Sequence, residues 1–233
     1  MAKKIYIERV IDWNLWDKNV NESEQGTIFH LKQFLDFSKV NYKCWFVKKG
    51  SEIIGGVSTQ ENDDGDKSIL DDLIIHNGIW FKPDLNQKGV NISGVNFKIT
   101  ELIIDILSKK YKSFKLSLSP QVNDLRPFLW FNYNDENEKK INVSIRYTAY
   151  QDISELKNII YFERYDLFKI LKTCRQQRLR QGFKSGAYIK ADEDFGFLLN
   201  SFKETLKISK NKFIEKKEKL YSLISNLQKV KKG

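Results

Sequence analysis

Cysteine is scarce here. Cys44 and Cys174 stand far apart in 233 residues and form no CxxC pair. Neither a disulfide framework nor a zinc cluster can be built from them, and a cytosolic, cytoplasmic setting fits that usage. Histidine is equally sparse. His30 and His76 have no ligand partners at metal spacing, so no metal is expected and both read as structural. No apolar run approaches the ~18 residues of a membrane span, and the start MAKKIYIERV lacks the apolar stretch of a secretory signal. GxSxG, GxxxxGK[ST] and HExxH are all missing. That removes the motif evidence for a hydrolase elbow, a P-loop or a zinc protease.

What is present suffices for a core. Hydrophobic residues make up 41% and aromatics 13%, with 16 Phe, 10 Tyr and 5 Trp, which excludes wholesale disorder. The length suits one large domain, or one domain with a helical appendage. Charge is unevenly spread. Residues 1–164 hold 23 Lys/Arg and 23 Asp/Glu, whereas residues 165–233 hold 17 and 7, so the whole net charge of +10 falls in the last third. Two regions with different partners are expected.

Periodicity gives the element order. Strands are expected at 4–10, 42–48, 52–59 and 70–81, the last interrupted near Asn77-Gly78, then at 114–118 and 141–150. Helices are expected at 13–21 with Asp12 as cap, at 29–38, and at 95–110 with Lys109, Lys110 and Lys112 exposed. Residues 124–133 read as a short helix or turn. From 154 onward the pattern is almost all helical, with helices at 195–209 and 213–230. The expectation is an α+β domain over 1–153 around a mostly antiparallel sheet flanked by helices, then a basic helical segment over 154–233.

Particular stretches sharpen this. Trp13 to Trp16, then Gly26-Thr27-Ile28-Phe29-His30, then Phe34-Leu35 resemble the start of the FemAB-like acyltransferases of the GNAT (N-acetyltransferase) superfamily. So do Asp124-Leu125-Arg126-Pro127-Phe128-Leu129-Trp130-Phe131-Asn132-Tyr133, Arg146-Tyr147-Thr148 and Asp152-Ile153. Arg175-Gln176-Gln177-Arg178-Leu179-Arg180-Gln181-Gly182-Phe183-Lys184-Ser185-Gly186 is similar to the basic helix that opens that family's second half. The resemblance implies a GNAT-like fold and an N-terminal half plus the start of a second. It also implies transfer of an acetyl or aminoacyl group to an amino group of an amino sugar or cell-envelope precursor. The donor would be acetyl-CoA or an aminoacyl-tRNA, and catalysis by this chain alone is not implied.

Three groups of residues carry candidate chemistry. Lys88 and Gly89 lie in the loop before the helix at 95–110, where backbone N–H groups can cradle phosphate; a plain connection is the other reading. Asp124, Arg126, Trp130, Asn132 and Tyr133 combine flat aromatic faces with polar groups, as a sugar site requires; they also suit an aromatic plug closing the sheet. Arg175, Arg178, Arg180 and Lys184 can pair with phosphate or form a solvated helix face. No catalytic base is assigned. The rival class is a non-catalytic module presenting this basic surface to RNA, an acidic protein or membrane headgroups. Phe202, Leu206, Leu220, Leu223 and Leu227 form an apolar row that either folds back on 1–153 or pairs two copies. The expectation is a homodimer, with Lys216, Lys217 and Lys219 at its rim.

Overall fold

A computed structural model of the chain describes residues 4–83, 90–149, 151–154, 163–188, 196–206 and 210–231. The fold is α+β, with a curled antiparallel sheet and several helices. The chain divides into two units, Met1–Ile145 with Lys207–Gly233, and Arg146–Leu206. Residues 207–233, grouped by sequence with the rest of a C-terminal segment, thus belong to the first unit.

Five strands form the sheet of unit 1: β1 Ile5–Arg9, β2 Asn41–Lys49, β3 Glu52–Glu61, β4 Ser68–Ile69 and β5 Gly78–Phe81. β1, β2 and β3 follow one another antiparallel. The free edge of β3 then pairs with β4 at Gln60 and Glu61 and with β5 from Gly55 to Ser58. Gly50 (φ 64°) supplies the left-handed residue of the β2–β3 turn. Strand β3 is buried nearly throughout, because helices cover both faces of the sheet.

The helices are α1 Trp13–Glu22, α2 Lys32–Ser38, α3 Val90–Lys110, α4 Arg126–Trp130, α5 Asp166–Lys169, α6 Thr173–Lys184, α7 Gly196–Leu206 and α8 Lys210–Lys231. Asp12 caps α1 by accepting from the Leu15 N–H at 2.9 Å. The helix expected at 29–38 is split into a 3-10 turn at Ile28–His30 and α2. Leu31 is extended between them, and the Asp17 carboxylate accepts from the Lys32 N–H at 2.9 Å, so α2 starts from a cap lent by α1.

On one face of the sheet Trp16, Phe34, Leu35, Phe46 and Trp80 form a core, with Trp16 and Trp80 ring centres 5.3 Å apart. Gly56 is required there: a Cβ would lie 2.5 Å from the Trp80 ring. On the other face Ile99, Ile103, Ile104 and Leu107 of α3 pack on Val47, Val57 and Ile79, while Lys109, Lys110 and Lys112 are exposed. Helix α8 lies on α2, with Leu223 inside the first core, Leu227 packed against it, and Lys219 paired to Asp71. Leu223 and Leu227 of that apolar row thus pack within unit 1, the fold-back alternative for these two side chains. The side chains of Phe202, Leu206 and Lys216 lie outside the described residues.

Three strand expectations change. Residues 70–77 are not strand: the Asp71 side chain accepts from the Leu73 N–H, the Ile74 N–H bonds the Asp71 carbonyl, and Gly78 sits at φ 96°. Local turn chemistry overrides β-propensity there. Residues 114–118 are tied to the segment before β5 by bonds between Asn77 and Ser117 and to β4 by Ser68 donating to the Lys115 carbonyl, but form no named strand. Residues 141–149 are almost wholly exposed and belong to no named strand; Tyr150 lies outside the described residues.

Unit 2 is helical. Gln176 of α6 donates to the carbonyls of Phe168, Lys169 and Leu171, tying α6 to α5. Among the described residues, no helix of the protein is long and apolar enough to cross a membrane.

Candidate functional site

The segment 124–133 folds as an elbow. Pro127 opens α4, and Pro127 and Phe128 are buried, with Leu125 and Phe131 packed on the α3 side of the sheet. Those anchors turn the remaining side chains outward. Trp130 is 56% exposed and Tyr133 68% exposed. Arg126 donates through Nε to Asp124 Oδ1 at 2.9 Å and through a terminal nitrogen to Oδ2 at 2.6 Å. Its own backbone N–H also reaches Asp124 Oδ1, at 3.1 Å. This fork is the strong, oriented form of the pair, and the bond from Arg126 holds the Asp124 carboxyl below its ordinary pKa.

A partner that sequence spacing does not reveal completes the arrangement. Phe97 of α3 lies 5.4 Å from the Arg126 guanidinium and 5.7 Å from the Trp130 ring, while Trp130 is 5.7 Å from the guanidinium on its other contact. The cation is thus fixed by two rings and one carboxylate. Asn132 adopts φ 53°, and its side chain donates to the Lys139 carbonyl at 3.0 Å, closing the loop after the elbow. Lys140 lies 6.0 Å from the Tyr133 ring. All five residues singled out in this segment therefore share one elbow: Asp124, Arg126 and Trp130 in contact, Asn132 shaping the loop, and Tyr133 presented to solvent. A rigid guanidinium beside exposed aromatic faces can stack a sugar ring and hydrogen-bond its substituents.

The other two groups fare differently. Lys88 and Gly89 lie outside the described residues. Arg175, Arg178, Arg180 and Lys184 are all exposed on α6. Arg180 is engaged locally, donating to Glu163 at 2.6 Å and lying 5.1 Å from the Phe168 ring. Arg175, Arg178 and Lys184 form no ion pair among the described residues.

Two polar clusters escaped the sequence reading. Glu61, 6% exposed, accepts from the Tyr111 hydroxyl at 2.7 Å and pairs with Lys110 at 3.0 Å and Lys43 at 3.7 Å. Burial pushes its pKa up, but these donors outweigh burial and hold it below the ordinary value. The cluster pins the end of α3 to β3. On the opposite face, His30 is fully buried, with Nδ1 2.9 Å from Thr27 Oγ1. Burial, reinforced by nearby His76, pushes its pKa down to about 4. His30 Nε2, His76 Nδ1, Ser58 Oγ, Gln60 Nε2 and Trp80 Nε1 are buried with no hydrogen-bond partner among the described residues. No group of three or more His, Cys, Asp or Glu among the described residues could hold a metal ion. An open groove of about 280 Å³ runs past Lys18, Glu22, Glu52 and Lys82, away from the elbow.

No protein-family model, curated protein or solved structure matches the chain.

Proposed function

We propose that this chain is a FemAB-like acyltransferase, or part of one, with a GNAT-like fold, and that the elbow of residues 124–133 binds its amino-sugar or cell-envelope acceptor. The Phe97–Arg126–Trp130 cluster supports this reading most directly. Its guanidinium is already held by Asp124, Phe97 and Trp130, which lowers the ordering cost of binding. The order of strands, the two-sided cover of the sheet and the long α3 after β5 suit that fold. Fold alone would not license the function.

In this reading the acceptor amine attacks the acyl carbonyl of acetyl-CoA or an aminoacyl-tRNA. The new bond is C–N, and the bond that breaks joins the carbonyl carbon to sulfur or to the ribose oxygen. The amine proton passes to a base, and the thiolate or alkoxide leaves and is protonated. Alignment of amine and carbonyl, with stabilisation of the oxyanion, supplies the rate; no enzyme nucleophile is needed. Calorimetric titration of the chain with acetyl-CoA, alone and with an amino sugar present, tests the reading. Saturable binding of either compound is expected, weakened in Arg126→Ala. No binding of either compound would overturn it.

A further inference from the structure

The groove of about 280 Å³ in unit 1 has walls of fixed backbone. Leu15, Lys18, Asn19 and Glu22 stand at i, i+3, i+4 and i+7 of α1, so they form one stripe of that helix. The rest of the wall is Ser51, Glu52 and Ile53 at the β2–β3 turn, and Lys82 just after β5. The Tyr6 hydroxyl donates to the Gly50 carbonyl at 2.9 Å and holds the turn, and the Lys82 N–H donates to the Ile54 carbonyl at 3.1 Å. Lys18 and Glu22 pair with each other at 4.0 Å. Glu52 and Lys82 have no ion pair among the described residues. Asn19 is only 4% exposed. Its Nδ2 donates to the Leu15 carbonyl at 2.8 Å, while its Oδ1 accepts no hydrogen bond among the described residues.

We propose that this groove binds a small zwitterion, a free aliphatic α-amino acid. Its volume of about 280 Å³ lies just below the roughly 300 Å³ at which ligand pockets begin, which suits a molecule smaller than a nucleotide or a peptide. Its two lysines and two glutamates sum to zero charge, which favours neither a phosphate nor a polyamine. A ligand with one charge of each sign matches the unpaired Lys82 and Glu52 together. Lys82 pairs with the ligand carboxylate and Glu52 with its ammonium, and Asn19 Oδ1 accepts a further N–H of that ammonium. Leu15 and Ile53 supply apolar wall for an aliphatic side chain. None of these residues belongs to the elbow, so the proposal is independent of the acyltransferase reading.

Backbone amide shifts of the isotope-labelled full chain, followed by NMR while L-valine is added, test it. Saturable shifts are expected at Leu15, Asn19, Ser51, Ile53 and Lys82. Isobutylamine lacks the carboxylate and 3-methylbutanoate lacks the ammonium, so each should bind roughly fivefold more weakly than valine. Glu52 and Lys82 are exposed, so Glu52→Gln and Lys82→Gln should leave the amide spectrum of the free protein native away from the groove. Each should weaken valine binding by about fivefold. No saturable shift at the groove residues would overturn the proposal. So would a half-ligand that binds as well as valine, or a charge variant that keeps the native affinity.

Discussion

Unit 1 and unit 2 solve the folding problem by different means. Unit 1 buries both faces of its sheet, one under α1, α2 and α8, the other under α3 and α4. In unit 2 only Phe168, among the described residues, is buried, and exposed basic side chains dominate α6. Burial therefore specifies the first unit, and local hydrogen bonds specify what is fixed in the second. A side chain removed from unit 1 should cost stability, whereas one removed from α6 should cost little.

The sharpest contrast comes from truncating a core ring. Trp80→Ala should cost roughly 3–5 kcal/mol in urea unfolding, while Leu179→Ala should stay within about 0.5 kcal/mol. Comparable losses would erase the distinction. Leu223→Ala comes next, at about 2–3 kcal/mol, because α8 covers α2 from within unit 1. If that variant unfolds like the native chain, α8 is not part of the core.

Acid offers a smaller probe of the same contrast. His30 has a folded pKa of about 4, below its ordinary 6.5, so folding favours the neutral ring. Its stabilisation is complete above about pH 6.5 and is lost as pH falls toward 4. Stability should drop by roughly 2 kcal/mol between about pH 7.5 and pH 5. His76, also depressed by burial, adds to the drop. His30→Gln should flatten the slope, and an unchanged slope would place the titrating group elsewhere.

Much of unit 1 was legible in the sequence, since it depends on short-range patterns. Asp12 before an apolar-periodic run marks α1, and Gly50 between alternating strands marks the β2–β3 hairpin. The spacing of Ile99, Ile103 and Leu107 marks α3. Alternation also suggests a strand at 141–150, but pairing is a non-local event, and residues 141–149 pair with no strand among the described residues. The turn at 70–77 hides behind β-branched residues because one Asp71 side chain decides it. At the elbow, composition shows Asp124, Arg126 and Trp130, but not Phe97, which only tertiary packing brings against them. The meeting of His30 and His76 is hidden for the same reason.

A small change in stability accompanies the most consequential change in binding. Trp130 is more than half exposed, so Trp130→Ala should cost under about 1 kcal/mol, from lost ring and cation contacts. Titrating the native chain and this variant with a nucleotide-linked amino sugar, followed by calorimetry, addresses the central claim that the elbow is a built acceptor site. The native chain should bind saturably and the equally folded variant at least tenfold more weakly, as expected when about 1.4 kcal/mol of stacking is removed. Equal affinity in the two proteins, or no binding by the native chain, would contradict it.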